Sequence, residues 1–87
     1  MKFEIHLSSR CHKFLKGVDS TTYDRIVRKI EELANDPFLS DAKKIMGSKE
    51  KIYRVRVGDY RILYEIYLDK MAIMIVNIDK RSRIYDR

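Results

Sequence analysis

Cysteine is almost absent from this sequence, which contains Cys11 and no other thiol. A single cysteine cannot form a disulfide within the chain, and it cannot supply the ligands of a cysteine-based zinc site. Cys11 is in helical step with Phe14 and Leu15, and free cysteines are usually buried, so we expect it to be a small core residue rather than a reactive thiol. The disulfide-stabilised and cysteine–zinc classes of small protein are thus excluded.

Long apolar runs are missing as well. The chain opens with MKFEIH, without an apolar segment of signal-peptide length, and no stretch approaches the roughly 20 apolar residues of a membrane-spanning helix. Internal repeats, linkers and low-complexity tracts are also absent. Because 45% of the 87 residues are hydrophobic and recur at regular spacings, we expect one globular domain over residues 1–87, cytoplasmic and without membrane contact.

Acidic residues are too few to balance the charge of the second half of the chain. Residues 1–36 contain seven Lys and Arg against six Asp and Glu, whereas residues 43–87 contain twelve against six. The net charge of +6 therefore comes from the second half. A basic excess attracts polyanions through long-range fields and counterion release, so nucleic acid is the first partner to consider.

The first half of the chain has the periodicity of one strand followed by two helices. Apolar and polar residues alternate over residues 2–7, which predicts a strand. A short helix is expected to be capped by Ser8 or Ser9. A longer helix is expected to be capped by Ser20 or Thr21, and its apolar residues recur at the three- and four-residue spacing of one helix face.

The second half is strand-like after a connecting loop over residues 38–50. Three stretches rich in β-branched and aromatic residues follow, separated by short turn sequences. These stretches are Ile52–Val57, Tyr60–Tyr67 and Met71–Ile78. The order β-α-α-β-β-β predicts an α+β fold, in which two N-terminal helices pack on one face of an antiparallel sheet and the first strand joins the meander.

Three arginines are expected to share the other face of that sheet. If residues 58–59 form a two-residue hairpin turn, Arg56 lies opposite Arg61 and Arg54 lies opposite Leu63. Alternation then turns all three arginines away from the helices. Directly opposed like charges destabilise a sheet, and a phosphate, which a guanidinium can bind with two donors, is the natural counter-charge. A solvated or salt-bridged sheet face is the alternative.

The closing segment, residues 79–85, comes directly off the last strand and brings further cations within reach of the same face. We expect Lys80 and Arg83, together with Lys51, to bind RNA phosphates. Tyr85, which is surrounded by cations, could stack on a base or act as an acid or base through its hydroxyl. A frayed basic tail is the alternative for this segment.

Three stretches of the sequence together resemble a known family of toxins. They are KIMG at 44–47, YRVRVGDYRILY at 53–64 and DKRSRIY at 79–85, and they resemble the RelE/ParE superfamily of bacterial and archaeal toxin–antitoxin systems. The resemblance implies a RelE-like mRNA interferase, a metal-independent endoribonuclease that needs no cofactor. It would cleave messenger RNA in the ribosomal A site by attack of the 2′-hydroxyl, leaving a cyclic phosphate. The implied partners are a cognate antitoxin, the ribosome and mRNA.

The resemblance also implies the role of each catalytic residue. Arg61 and Arg81 fall on the positions that stabilise the phosphate and the leaving group, and Tyr85 falls on the stacking or orienting tyrosine. Arg54 and Arg56 fall on two positions that are lysine in some members. A lysine proposed as general base in some relatives is Arg56 here, and a guanidinium stays protonated. The 2′-hydroxyl proton is then expected to go to Tyr85 or to water.

Three other functions fit the same sequence. A ParE-like gyrase inhibitor would share the fold, but gyrase-directed relatives generally lack the arginine set with Tyr85. A non-enzymatic module could use the cations only to hold nucleic acid. A catalytically weak toxin could bind its antitoxin and help to repress its own operon. Any antitoxin is expected to mask the basic site with an acidic or amphipathic segment.

Overall fold

The described residues form two helices and five strands. The structure, a computed structural model, describes residues 2–38, 42–44 and 52–80. Within those ranges neither helix is long and apolar enough to cross a membrane. In chain order the elements are β1 (Glu4–Leu7), α1 (Ser9–Gly17), α2 (Ser20–Asn35), β2 (Lys43–Lys44), β3 (Ile52–Val57), β4 (Tyr60–Tyr67), a 3-10 turn (Leu68–Lys70) and β5 (Ala72–Lys80).

The strands form one sheet in the order β1-β5-β4-β3-β2. The β5–β4, β4–β3 and β3–β2 pairs are antiparallel, and β1 pairs with β5 in parallel. The predicted α+β class is confirmed, with its meander and its added first strand. The predicted loop over residues 38–50 is wrong at Lys43–Lys44, which pair with β3, because a two-residue strand is too short to show a periodicity.

Both helices pack on one face of the sheet, and the core lies between these two layers. Helix α2 contributes Ile26, Ile30 and Leu33, all buried and spaced along one helix face. The sheet contributes Val55, Val57, Ile62, Tyr64, Ile73, Ile75 and Ile78. Since side chains alternate along a strand, the residues between these core positions in β3 and β4 face away from the helices.

Side-chain caps determine where the helices begin. The Ser8 Oγ accepts a hydrogen bond from the Cys11 N–H at 3.2 Å, which confirms one of the two predicted starts of α1. Helix α2 is capped by Asp19, one residue before the predicted Ser20, and its Oδ2 accepts from the Thr22 N–H at 3.1 Å. Hydrogen bonds from the Thr22 side chain and, second, from its backbone N–H hold the pKa of the Asp19 carboxyl below its usual range. The cap therefore stabilises the fold at neutral pH and is lost as the pH falls and the carboxylate is protonated.

A β-bulge interrupts the ladder between β4 and β5. Val76 is the extra residue, because the register moves from the Tyr64–Ile75 pair directly to the Leu63–Asn77 pair. A strand with one extra residue changes the face to which its later side chains point. The bulge therefore divides β5 into two parts of opposite alternation.

The bulge decides which side chains of β5 reach the solvent-facing side. Ile73 and Ile75 are buried before the bulge, and Ile78 is buried after it. Unbroken alternation would have turned Asn77 and Asp79 into the core along with Ile73 and Ile75. With the bulge, both polar residues lie on the face of the sheet that is opposite the helices.

Helix α1 holds the bulge in place through three hydrogen bonds. The Ser8 N–H donates to the Ile75 carbonyl at 3.1 Å, and the Ser8 hydroxyl donates to the Val76 carbonyl at 2.9 Å. The Cys11 thiol donates to the Ile75 carbonyl at 3.3 Å. Cys11 is fully buried, which confirms its predicted place in the core, and this burial raises the pKa of its thiol.

Replacing Ser8 by alanine is expected to lower the free energy of unfolding by about 1–2 kcal/mol, because both the helix cap and a bond to the bulge are lost. Chemical denaturation of the purified protein measures this change. Ser9→Ala is the matched control, since Ser9 is exposed and lies one residue inside the helix. Equal midpoints for the two variants would contradict the role given to Ser8.

Candidate functional site

The hairpin between β3 and β4 sets the register of the arginines. Gly58 in its turn has a φ of 56°, a left-handed conformation that glycine adopts without strain. Arg56 pairs with Arg61, and Arg54 pairs with Leu63. The predicted register is thereby confirmed, and two guanidinium side chains leave adjacent strands side by side on the solvent-facing side.

The three arginines differ in exposure. Arg61 is only 8% exposed, Arg54 is half-buried and Arg56 is exposed. A charge held as deeply as that of Arg61 is rare in proteins without an ionic or hydrogen-bonding environment. Glu65, which shares this face, accepts a hydrogen bond from the Tyr67 hydroxyl at 2.6 Å and so belongs to the far end of β4. The structure thus brings the three predicted arginines together and sets Glu65 apart from them.

Strand β2 adds a lysine that the sequence did not predict as part of the site. Lys43 pairs with Arg54 across the β2–β3 ladder, so the two side chains lie on the same face. Lys43 is exposed. Lys43 was predicted to lie in a loop, so its pairing with Arg54 was not predicted. The sequence contains no turn signal that would fix the register of so short a strand.

Strand β5 adds polar residues on the other side of β4. Asp79 pairs with Arg61, and Asn77 pairs with Leu63. The Asp79 Oδ1 accepts from the Lys80 backbone N–H at 2.8 Å. Neither Asn77 nor Asp79 was predicted as part of the site, because only the bulge turns them toward the arginines.

A further cation lies at the tip of the β3–β4 hairpin. The guanidinium of Arg25, on α2, lies against the turn, since a Cβ added to Gly58 would come within 2.7 Å of its Nη2. Sequence analysis did not select Arg25, because helical periodicity shows that a residue is exposed but not which turn it approaches. The basic region therefore continues from the sheet face around the end of the hairpin.

Of the remaining predicted residues, one lies on the other side of the sheet and four lie outside the described ranges. Lys80 pairs with Tyr60 and is exposed at the end of β5, where alternation turns it to the side opposite Asp79. It lies at the same end of the sheet as the arginines but on the helix side. The other four predicted residues, which lie outside the described ranges, are Lys51, Arg81, Arg83 and Tyr85.

The two β1 side chains that titrate lie well away from the arginines. His6 Nε2 is 3.2 Å from the Glu4 Oε1, and both side chains are exposed. At about 4.8 Å per strand, β1 lies roughly 14 Å across the sheet from β3 and roughly 10 Å from β4, where His6 is level with Glu65, four residues from Arg61. His6 is thus no neighbour of the cation cluster.

A basic sheet face with opposed arginines, backed by two helices, is the arrangement expected of the toxin class that the sequence resembles. Residues 5–85 match the family described as the ParE toxin of type II toxin–antitoxin systems, parDE. The chain belongs to this family, and it is a RelE-type toxin of a toxin–antitoxin system. The predicted family is confirmed.

Individual relatives agree with this assignment. The chain is 33% identical over 88 residues to the toxin named RelE1 of Methanocaldococcus jannaschii, with 98% of this chain and 97% of the relative covered. It is 25% identical over 85 residues to the mRNA interferase toxin RelE of Escherichia coli K12, covering 95% and 87%. The structure of the archaeal RelE–RelB complex from Pyrococcus horikoshii OT3 matches with a TM-score of 0.83 and 25% identity, covering 95% and 99%.

Proposed function

We propose that this chain is a metal-independent endoribonuclease that cleaves messenger RNA in the ribosomal A site, with the ribose 2′-hydroxyl as the nucleophile. The observation that carries the proposal is the direct opposition of Arg56 and Arg61 on a solvent-facing sheet. Opposed like charges cost stability, and a phosphate that accepts hydrogen bonds from both guanidiniums would offset that cost. The E. coli relative, named an mRNA interferase, supports the same reading.

The arginines would act by stabilising charge at the reacting phosphate. The 2′-oxygen forms a bond to phosphorus while the bond from phosphorus to the 5′-oxygen breaks, and negative charge grows on the non-bridging oxygens. A guanidinium offers two parallel donors to such oxygens. Arg61, at 8% exposure, is the most buried of the three arginines. Fixed donors of this kind are worth roughly 10²–10³ in rate each.

The other predicted residues complete this proposal. Arg81 would stabilise the leaving 5′-oxygen, and Tyr85 would stack on a base or exchange a proton. Arg54, together with Lys51, Lys80 and Arg83, would hold neighbouring phosphates of the RNA. Arg54 and Arg56 are two residues apart on one strand, so their Cα atoms are separated by about 6.6 Å.

The proposed partners are a cognate antitoxin and the ribosome with its mRNA, all in the cytoplasm. The P. horikoshii protein with the same fold was solved as a RelE–RelB complex. The cations of β2, β3 and β4 present a surface to which an acidic segment of an antitoxin would be attracted. Such a segment would cover the same face that binds RNA and would therefore inhibit cleavage.

Mapping RNA ends in cells tests the nuclease. The wild type, induced without antitoxin, is expected to produce new 5′ ends within open reading frames and to stop growth. An Arg61→Ala/Arg81→Ala double variant is expected to lose both effects, since charge stabilisation at the phosphate is removed. Arg10→Ala/Arg28→Ala, which removes two exposed helix arginines, is the matched control. Identical maps for the wild type and the first double variant would refute the proposal.

A gyrase inhibitor is the second candidate, and the match to a family described as the ParE toxin favours it. An in vitro assay distinguishes the two activities. A gyrase inhibitor would block supercoiling of plasmid DNA by gyrase. We expect supercoiling to proceed at the normal rate at toxin concentrations that cleave ribosome-bound mRNA.

A further inference from the structure

We propose that Asp79 is the general base that removes the proton from the 2′-hydroxyl. This inference rests on the proposed ribonuclease function and supplies a step that the arginines cannot perform. Asp79 lies directly opposite Arg61 on the adjacent strand, on the solvent-facing side of the sheet. Among the residues described on β2 to β5, it is the carboxylate closest in register to the opposed arginines.

Register defines how near the carboxylate lies to the phosphate site. Directly opposed residues of an antiparallel pair have Cβ atoms about 4.5–5.5 Å apart. Asp79 is one strand from Arg61 and two strands from Arg56, which is about 10 Å. A phosphate held by the Arg61 guanidinium would therefore place the neighbouring ribose over β5, where its 2′-hydroxyl can approach the carboxylate.

The position of Asp79 depends on the bulge. If Val76 were paired as a regular ladder residue, the alternation of Ile73 and Ile75 would continue and would turn Asp79 into the apolar core. The side chain is also oriented locally, because its Oδ1 accepts the Lys80 N–H at 2.8 Å.

The step balances without a metal or an oxidant. The 2′-hydroxyl proton passes to the Asp79 carboxylate as the 2′-oxygen bonds to phosphorus. The bond from phosphorus to the 5′-oxygen breaks, and this oxygen takes a proton from water. The products are a 2′,3′-cyclic phosphate and a 5′-hydroxyl. Arg56 and Arg61 stay protonated throughout and contribute charge only.

Most groups around Asp79 are basic, and Asp59, in the β3–β4 turn next to Tyr60, is a further carboxylate at this end of the sheet. From β4 it faces Arg61, and beyond that strand lies Arg56. On β5 itself Lys80 follows it, turned to the helix side. The titratable residues of β1, Glu4 and His6, pair near Ala72 and Met74, at least five residues away along β5. Helix α1 approaches β5 through buried Cys11, and its charged residues are exposed, namely Arg10, His12, Lys13 and Lys16.

A purely structural role for Asp79 predicts a different result. If the carboxylate only oriented Arg61, its loss would loosen the phosphate site and weaken RNA binding. If it is the base, Asp79→Asn removes a negative charge from an anion-binding face and leaves the cations in place. RNA binding is then unchanged or tighter, while the chemical step is slow.

Cleavage kinetics with programmed ribosomes test the inference. For Asp79→Asn we expect kcat to fall about 10²–10⁴-fold with KM unchanged or lower. Asp79→Glu should recover part of the rate. Asp69→Asn, in the exposed 3-10 turn, is the matched control.

Three outcomes would overturn the inference. Full activity of Asp79→Asn excludes a base at this position. A slow variant that binds RNA more weakly, with a raised KM, assigns Asp79 a positioning role instead. A wild type that cleaves no RNA refutes the proposed function and this step together, and is therefore distinct from the first two results.

Discussion

Replacing Arg61 by methionine is expected to lower the rate of mRNA cleavage by about 10²–10³-fold, the usual loss when one fixed donor to a developing oxyanion is removed. Methionine keeps a flexible apolar chain where the Arg61 stem is buried, so the core stays filled. The effect should appear mainly in kcat, because charge on the phosphate grows in the transition state.

The salt dependence of RNA binding provides a second measurement on the same variant. Loss of one phosphate contact is expected to reduce the slope of log binding constant against log salt by about 0.7, the value for single-stranded nucleic acid. Arg28→Met is the control, since Arg28 is exposed on α2 in the opposite layer. An Arg61→Met protein that cleaves as fast as the control would show that Arg61 does not contact the reacting phosphate.

Replacing Tyr64 by alanine is expected to lower the free energy of unfolding by about 3–5 kcal/mol, as for other large aromatic side chains in cores. Tyr64 is fully buried, and its ring stacks on that of Tyr53 with 5.9 Å between centroids. Its hydroxyl donates to the Pro37 carbonyl at 2.9 Å and so ties the end of α2 to the sheet. Small domains have only about 5–15 kcal/mol of stability in total, so this loss is large.

Two further variants separate the contributions of Tyr64. Tyr64→Phe keeps the ring and leaves the buried Pro37 carbonyl without its donor, which costs about 1–3 kcal/mol. Tyr23→Ala removes a ring that is 43% exposed on α2 and should cost less than about 1 kcal/mol. In urea denaturation, the loss of stability should be largest for Tyr64→Ala, intermediate for Tyr64→Phe and smallest for Tyr23→Ala. Equal midpoints for Tyr64→Ala and Tyr23→Ala would contradict this ranking.

Most of the correct predictions about the strands and helices rest on local sequence signals. The two-residue turn at Gly58 and Asp59 fixed the register of β3 and β4, and with it the opposition of Arg56 and Arg61. Helical periodicity located α2, although its cap is Asp19 and not the predicted Ser20 or Thr21. These features depend on residues close together in the chain, and so the sequence alone was sufficient for them.

The rest of the site depends on contacts between distant residues. Lys43 joins Arg54 through a strand of two residues, and nothing in its own neighbourhood distinguishes that strand from a loop. Asp79 faces Arg61 because Val76 is bulged, and the bulge is held by Ser8, 68 residues earlier in the chain. Strand alternation alone, without the bulge, would have assigned Asp79 to the wrong face.

The bulge at Val76 determines how β5 would respond to the loss of one residue. The bulge accommodates one residue that has no partner on β4, and loss of the Val76 codon would restore a regular ladder in which Asn77 follows Ile75 directly. Asn77, Ile78 and Asp79 would keep their faces and their partners on β4, because the residues paired with β4 would alternate as before. The acidic and basic positions of this surface would therefore stay opposed in a relative whose strand lacks the extra residue.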